Sequence, residues 1–240
     1  MKYYYDLHLH SCLSPCGDMD MTPNNITGMA KLLGLDIIAL TDHNTSLNCE
    51  ATIAAGKENG VVVVPGMELT TSEDIHAVCL FPTLERALEW SEYVDNHRIK
   101  IKNRPDIYGR QVIMNALDEE IGELEHLLLP ATEISIMNAY SLARSFGGIC
   151  YPAHVDRDSL SILSVLGEID ESCGFITAEL ADRSKLSALK KCGISIALCS
   201  TLDAVAIARE LGFEIHGGFA LNVFNSYSVS FFESLGVKAL

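Results

Sequence analysis

The residues of this chain that could carry chemistry are histidines and a glutamate spaced along its first two thirds. His8 and His10 flank a single leucine, and alternate residues of a β-strand point to the same face, so both imidazoles would project together. The other members of the series each lie in or directly after a short apolar run; they are His43, Glu68, His76 and His154. We therefore expect these six side chains to gather in one site.

The chemistry of such a site follows from its donor atoms. Imidazole and carboxylate side chains mixed in this way are ligands that zinc, manganese and iron accept. Two or three such ions held close together can clamp a phosphoryl oxygen and supply a hydroxide. One isolated histidine at a strand end is more often structural, but a series of six is hard to explain as core histidines. The set predicts a multi-metal hydrolytic site.

The elements that would position these side chains alternate between strands and helices. Strands are predicted at residues 3–9, 36–40, 61–64, 75–81 and 148–154, and helices at residues 23–34, 50–59, 84–98 and 135–146. This rhythm is typical of parallel βα units, whose strands end at one face where sites are built. Residues 99–131 are less regular, and we interpret them as an insertion over that face.

Composition and charge restrict the function further. The 240 residues are 48% hydrophobic and 20% charged, as expected for a globular chain with a real core, and the formal net charge is −15. Because duplex-DNA binders usually present a basic face, this balance argues against a strong nucleic-acid footprint but allows a small phosphorylated substrate. Neither a signal peptide nor an apolar run of 18 residues is visible, so we expect a cytoplasmic protein without a membrane partner.

Two further groups of residues near the predicted site have ordinary explanations. The eight cysteines contain no CxxC pair, so we expect reduced thiols used in packing. For Cys12 and Cys16, which lie beside the site, contact with a metal is the less favoured alternative. Basic residues of the insertion could contact phosphates, although a solvated surface is the simpler explanation; they are Lys100, Lys102, Arg104 and Arg110.

The order of these motifs resembles a known family. Residues 6–11 (DLHLHS), 41–44 (TDHN), 66–68 (GME) and 152–154 (PAH) are similar to successive signatures of the PHP (polymerase and histidinol phosphatase) phosphoesterases, and residues 14–18 (SPCGD) resemble the variant loop of one branch. The resemblance extends from residue 3 to about residue 178. It implies an α/β fold, a distorted (β/α)7-type barrel with a trinuclear metal site at the C-terminal ends of the strands.

The resemblance also implies roles for individual residues. The first metal would be held by His8, His10 and Glu68, the second by Glu68, His76 and His154, and the third by Asp18 and His43, with Asp20 as a substitute for Asp18. The catalytic set would be His8, His10, Glu68 and His154. Asp6 and Asp42 would orient imidazoles. Arg157 would contact a phosphate, although pairing with Asp156 or Asp158 explains it as well.

The last part of the chain departs from the family pattern. The expected late Asp-x-His signature is missing, and Asp203 and His216 are the replacement ligands that the sequence offers. Residues 182–240 resemble a fragment of a U32 peptidase-type barrel. We therefore predict a PHP-type domain at residues 1–180 and further βα units at residues 181–240, packed onto or completing the same barrel.

The resulting functional prediction is a metal-dependent phosphoesterase with two or three divalent ions (Zn, Mn or Fe). It would hydrolyse a phosphomonoester or nucleotide-type substrate with a metal-activated hydroxide. The first alternative is a PHP-type module with a weakened metal site and little catalysis, because the final signature is missing. The second is a U32-type activity, for which residues 182–240 contain no complete site that we recognise.

Overall fold

The computed structural model describes residues 3–180, 195–199, 202–217 and 226–239. Its architecture is mixed α/β, with a curled half-barrel sheet, a second parallel sheet and a separate two-stranded hairpin. The α/β fold class predicted from the sequence is therefore confirmed.

The first sheet carries most of the predicted site residues. Its strands, in the order in which they pair, are β1 (Tyr5–Leu9), β2 (Ile37–Leu40), β3 (Val62–Thr70), β4 (His76–Leu80) and β7 (Ile149–Pro152). The first three strands are parallel to one another, as the sequence predicts. Strand β4 is instead antiparallel to both of its neighbours, β3 and β7.

The reversed direction of β4 corrects the prediction of uniformly parallel strands. Only residues 71–75 connect β3 to β4, and a parallel pair would need a crossover connection of a dozen or more residues. This turn is closed by backbone hydrogen bonds from Thr71 to Ile75 (2.9 Å) and from Asp74 to Thr71 (3.0 Å). Asp74 adopts a φ of 58°, a conformation that aspartate tolerates better than most residues in tight turns.

Six helices lie between residues 23 and 166, and all but the fourth and the sixth were predicted from the sequence. They are α1 (Pro23–Leu32), α2 (Cys49–Asn59), α3 (Leu84–Asn96), α4 (Pro105–Tyr108), α5 (Ile136–Ser145) and α6 (Ile162–Leu166). Helix α1 begins as expected, because the Thr22 side chain accepts a hydrogen bond from the Asn25 amide and Pro23 occupies the first turn. Helix α2 ends at Gly60 in the left-handed conformation (φ 76°).

The second sheet is formed by the later strands, all parallel: β8 (Thr177–Leu180), β9 (Ile196–Cys199), β10 (Glu214–Gly217) and β11 (Val237–Ala239). Helices α7 (Leu202–Glu210) and α8 (Ser226–Ser234) accompany it. The Val155 amide donates to the Glu179 carbonyl (3.0 Å), and Leu180, Ala197 and Ile215 share one apolar core with residues of the first sheet. The two sheets are thus held together by a common core.

The insertion at residues 99–131 contains helix α4 and a hairpin of β5 (Val112–Met114) and β6 (Glu120–Glu123). The Asn44 side chain donates to the carbonyls of Leu128 (2.7 Å) and Pro130 (3.1 Å), and so ties the insertion to the loop after β2. No helix in the described ranges combines the length and apolar character needed to cross a membrane.

We expect Trp90→Ala to lower the free energy of unfolding by about 3–5 kcal/mol. Trp90 is fully buried, and its ring lies 6.0 Å from Phe81 and 5.4 Å from Phe146 between ring centroids. Trp90→Phe should cost clearly less, because the indole N–H is buried without a hydrogen-bond partner among the described residues. Urea unfolding followed by circular dichroism measures both values, and equal losses would contradict this account of the core.

Candidate metal centre

The site is organised around the buried carboxylate of Glu68. This side chain is 2% exposed, and each of its oxygens faces imidazole nitrogens. The distances to Glu68 are 3.2 Å from His8 Nε2, 3.2 Å from His10 Nε2, 3.2 Å from His43 Nδ1, 3.0 Å from His76 Nδ1 and 3.1 Å from His154 Nε2. The structure thus brings together all six residues of the series singled out from the sequence.

The strand ends explain why these residues meet. His8 and His10 lie at the end of β1, His43 follows β2, and His154 follows β7. The Asn44 amide donates to the Glu68 carbonyl (3.0 Å), which holds the loop after β2 against β3. Because β4 is antiparallel to β3, its first residue, His76, lies at the same edge where the other strands end, directly opposite Thr70.

His154 reaches the site through a strained backbone conformation. Its φ is 29°, in the left-handed region that residues with a side chain rarely adopt, and such outliers cluster at functional sites. Its ring is 6% exposed and stacks on that of His8 at 5.9 Å between centroids. The surrounding contacts therefore hold His154 in a conformation that costs free energy.

A chain of hydrogen bonds orients His10. The Ser14 hydroxyl donates to Asp42 (2.7 Å) and lies 3.2 Å from His10 Nδ1. Ser11 also donates to Asp42, from its amide and its hydroxyl (both 2.7 Å). The hydroxyl of Ser14 can accept the Nδ1 proton of His10, and this tautomer leaves the Nε2 lone pair facing Glu68. Asp42 thus acts on the imidazole through Ser14 rather than by direct contact.

Glu179 is a site residue that sequence reasoning missed. Its carboxylate accepts a hydrogen bond from His8 Nδ1 at 2.7 Å, so that His8 Nε2 faces Glu68. Asp6, which we expected to orient an imidazole, accepts instead from the His8 backbone amide (3.2 Å). The available signal was the alternation of β8, which places Glu179 and Thr177 on one face with a carboxylate at the strand's carboxyl end.

The charges of the site are strongly coupled. Burial alone would raise the pKa of the Glu68 carboxyl, but His8 and the other imidazoles hold that pKa well below its ordinary value. Burial would lower the pKa of His10, yet its contacts with Cys16 and Glu68 bring that pKa to about 9. Burial and the neighbouring imidazoles lower the pKa of His43 to about 3, against the attraction of Glu68. The site is therefore built to hold positive charge around one carboxylate.

These residues fit divalent metal ions. His8 Nε2 and His10 Nε2 lie 3.3 Å apart, and two lone pairs facing each other at that distance suit a shared cation. The buried Nδ1 of His43 lies close to Glu68 without forming a hydrogen bond to it. Ligating atoms lie within 4.8 Å of one another in the set of His8, His10 and Glu68 and in the set of His43, Glu68 and His76. The donors are imidazole and carboxylate, which suit zinc, manganese or iron.

The loop after β1 places a different side chain at the site from the one expected. A third set of ligating atoms consists of His10, Cys16 and His43. Asp18 is exposed, and its carboxylate accepts from the Asp20 amide (2.9 Å). Asp20 is exposed as well. The role of Asp18 as a ligand stays a prediction from the sequence.

The other sequence candidates lie outside this cluster or outside the described side chains. His216, in β10, contacts Glu214 (3.2 Å) instead of the cluster around Glu68. The backbone of Asp203 is in α7, but its side chain lies outside the described residues. Arg157 is exposed, and its amide donates to the His154 carbonyl (2.9 Å). Each basic residue considered in the insertion forms an ion pair: Lys100 with Asp95, Lys102 with Glu125, Arg104 with Asp106, and Arg110 with Glu120 and Glu123.

Comparison with known proteins decides the family. A family model described as the PHP domain matches residues 6–145, more than half of the chain. The chain belongs to the PHP domain family. The resemblance predicted from the motifs is thereby confirmed for this part of the sequence.

Two curated relatives share sequence with this PHP chain. An uncharacterized protein of Methanocaldococcus jannaschii is 30% identical over 148 residues, which cover 56% of this chain and 81% of the relative. A 5'-3' exoribonuclease of Haemophilus influenzae is 34% identical over 83 residues, which cover 33% of this chain and 29% of that enzyme.

Solved structures share the fold at low sequence identity. Endonuclease Q from Pyrococcus furiosus has a TM-score of 0.59 at 19% identity, covering 83% of this chain and 48% of that one. A metal-dependent phosphoesterase from Bifidobacterium adolescentis, described as putative in that structure, has a TM-score of 0.54 at 17% identity, covering 98% and 97%. The PHP chain spans about half the length of endonuclease Q. The neighbours confirm the (β/α)7-type barrel. Membership of the PHP family and the clustered ligands support a metal-dependent hydrolase.

The predicted partner needs correction. We expected a small phosphorylated substrate and no strong nucleic-acid footprint, and this is wrong, because the fold is shared with endonuclease Q. A second endonuclease Q structure, with a TM-score of 0.52 at 18% identity over 94% of this chain and 50% of that one, is a complex with a 27-mer duplex that contains an abasic lesion. Net charge was a poor guide because it averages over the whole chain, whereas cations held by the cluster would set the sign of the potential there.

We expect Glu179→Gln to weaken metal binding about 10–100-fold, the usual effect of losing a carboxylate that orients a ligating histidine. Titration of the metal-free protein against a chromophoric chelator measures this affinity. Glu171→Gln is the matched control, because Glu171 is an exposed residue outside the cluster. Equal affinity in wild type and Glu179→Gln would show that the Glu179 contact with His8 is unimportant for metal binding.

Proposed function

We propose that this PHP chain is a metal-dependent hydrolase that cleaves phosphodiester bonds of nucleic acids. The observation that carries the proposal is the buried Glu68 carboxylate with five imidazole nitrogens at 3.0–3.2 Å. A buried carboxylate needs compensating charge, and a set of imidazoles this dense around it is the donor set of a multi-metal site.

The residues proposed to hold the metals follow the motif order. His8, His10 and Glu68 would hold one ion, and Glu68 with His76 and His154 a second; His43 would contribute to a third. Two or three ions of zinc, manganese or iron are proposed. When bound, such ions supply a hydroxide nucleophile and neutralise charge on the phosphoryl oxygens. The proposed catalytic set is His8, His10, Glu68 and His154.

The proposal of a nucleic-acid substrate has two sources of support. One relative that shares sequence is an exoribonuclease, and two structures that share the fold are endonuclease Q. All three act on phosphodiester-linked nucleotides by name, although the chain covers only part of each. The acidic net charge does not oppose this substrate, because the attraction for phosphate would come from the metals in the cluster around Glu68.

The chain's own hydrogen bonds would keep the ligands ready for this reaction. Glu179 and Ser14 hold the Nδ1 atoms of His8 and His10, so that both Nε2 atoms face the site. This preorganisation lowers the cost of assembling the centre. We further propose that residues 1–180 form the PHP-type unit and that residues 181–240 add βα units to the same barrel. The alternative of a module with little catalysis is not favoured by the comparisons.

The decisive test is cleavage of end-labelled oligonucleotides in the presence of manganese. Single-stranded RNA, single-stranded DNA and a duplex with an abasic site would be compared by gel electrophoresis. We expect cleavage of at least one of them, and Glu68→Gln should reduce its rate by on the order of 10²–10³-fold or more. Removal of metal by a chelator should have the same effect. Glu171→Gln serves as the matched control. A fully metal-loaded protein that cleaves none of the three would contradict the proposed substrate class.

Arg157 is the proposed phosphate contact, since it is exposed three residues after His154 and its guanidinium can bind phosphate in a bidentate manner. Arg157→Lys should reduce the specificity constant for the cleaved oligonucleotide by about tenfold, as the charge remains but the fork of donors is lost. Metal content should not change. Arg86→Lys, at an exposed arginine paired with Glu89 on α3, is the control and should have no effect. Equal effects of both substitutions on the specificity constant would show that Arg157 does not bind the phosphate.

A further inference from the structure

We propose that the thiolate of Cys16 is a metal ligand and that it binds one ion together with His10 and His43. The inference rests on the proposed metal centre and adds a sulfur donor to it. Cys16 would take the place that the resemblance assigned to Asp18. From the sequence, packing was the favoured interpretation of Cys16 and contact with a metal the less favoured one.

The positions of the three side chains support this ligand set. One ligating atom each of His10, Cys16 and His43 lies within 4.8 Å of the other two. Cys16 is exposed, whereas Cys12, Cys49, Cys79, Cys150, Cys173 and Cys199 are buried. A packing role would require burial of the thiol, so its position at the open side of the cluster calls for another explanation.

The loop that carries Cys16 is a tight turn, and its backbone contacts fix the position of Cys16. The Ser14 amide donates to the Ser11 carbonyl (3.1 Å), and the Gly17 amide donates to the Ser14 carbonyl (2.8 Å). A Cβ atom at Gly17 would lie 2.1 Å from the Ser11 carbonyl oxygen, so only glycine allows this close approach. The same Ser14 holds His10 and accepts from the His43 amide (3.0 Å). One loop thus positions all three proposed ligands.

Asp18, the other candidate for the ligand role, accepts hydrogen bonds within the next turn of the loop. Its carboxylate accepts from the Asp20 amide, and its carbonyl accepts from the Met21 amide (2.9 Å). Asp18 is exposed, and it belongs to none of the sets of ligating atoms found among the described residues. The geometry therefore favours sulfur over oxygen at this position.

The chemistry of a thiolate defines which ions would bind there. When the metal–sulfur bond forms, the thiol proton is released to solvent, so binding at this position depends on pH. Thiolate with imidazole favours zinc and cobalt, whereas carboxylate oxygen favours magnesium and manganese. The sulfur donor would also replace part of the ligand set lost with the missing Asp-x-His signature.

The test uses cobalt(II) as the probe, added to the full metal-free chain. A bond between cobalt and a thiolate produces a charge-transfer absorption band in the near ultraviolet, which imidazole and carboxylate ligands do not produce. We expect this band in the wild type and in Asp18→Asn, and its loss in Cys16→Ser. Zinc binding to one site in Cys16→Ser should weaken about tenfold or more. Circular dichroism checks that each variant is folded.

A second measurement is independent of the spectrum. Alkylation of the native chain followed by peptide mass mapping should modify Cys16 rapidly without metal and slowly after saturation with zinc. In Cys16→Asp, the ratio of zinc to manganese affinity should fall, since the new donor is oxygen.

The outcomes separate this inference from the proposed function. Cobalt bound at two or three equivalents without the band, or a band that persists in Cys16→Ser, would overturn the role of Cys16 and leave the metal centre intact. Weakened zinc binding in Asp18→Asn but not in Cys16→Ser would assign the ligand role to Asp18. A chain that binds no cobalt by elemental analysis would overturn the metal centre itself, and with it both proposals.

Discussion

The free-energy cost of burying the Glu68 carboxylate is the constraint to which the surrounding structure responds. A carboxylate that is 2% exposed is stable only with compensating charge and hydrogen bonds. Five imidazoles provide that compensation, two from the end of β1 and one each from three other strand ends. Burying the imidazoles is costly as well. Glu179 contacts the far nitrogen of His8, and Ser14, which donates to Asp42, contacts that of His10. The side chains at this edge of the first sheet thus form one network around the Glu68 carboxylate.

Much of this network could be predicted from sequence because its members are marked locally. His8 and His10 are two residues apart on one strand, and His43, Glu68 and His154 each follow an apolar run, so that strand periodicity alone brings them to one edge. Helix boundaries such as Thr22 and Gly60 were also readable, since caps are determined by neighbouring residues. The clustering of these side chains and the α/β class were therefore accessible to local rules.

What the sequence did not reveal depends on contacts between distant residues or on loop geometry. Glu179 meets His8 across 171 residues, and strand alternation alone does not distinguish it from other carboxylates on strands. Which of Cys16 and Asp18 faces the site is decided by the winding of one loop around Gly17. The direction of β4 was hidden because a strand reads the same in either direction; only the length of residues 71–75 pointed to a reversal. Net charge gave no sign of the fold shared with endonuclease Q, because it is a property of the whole chain.

The reversal at residues 71–75 also limits how this family member can change. Thr70 pairs with His76 and Glu68 with Val78, so the five residues of the turn determine which face of β4 points toward the site. Side chains alternate along a strand, and a shift of one residue would turn His76 away from Glu68 while bringing Ala77 into its place. A substitution in this turn leaves the register of β4 unchanged, whereas a single insertion or deletion would shift it. The connection therefore behaves as a segment of fixed length, and its residue count carries information that its residue types do not.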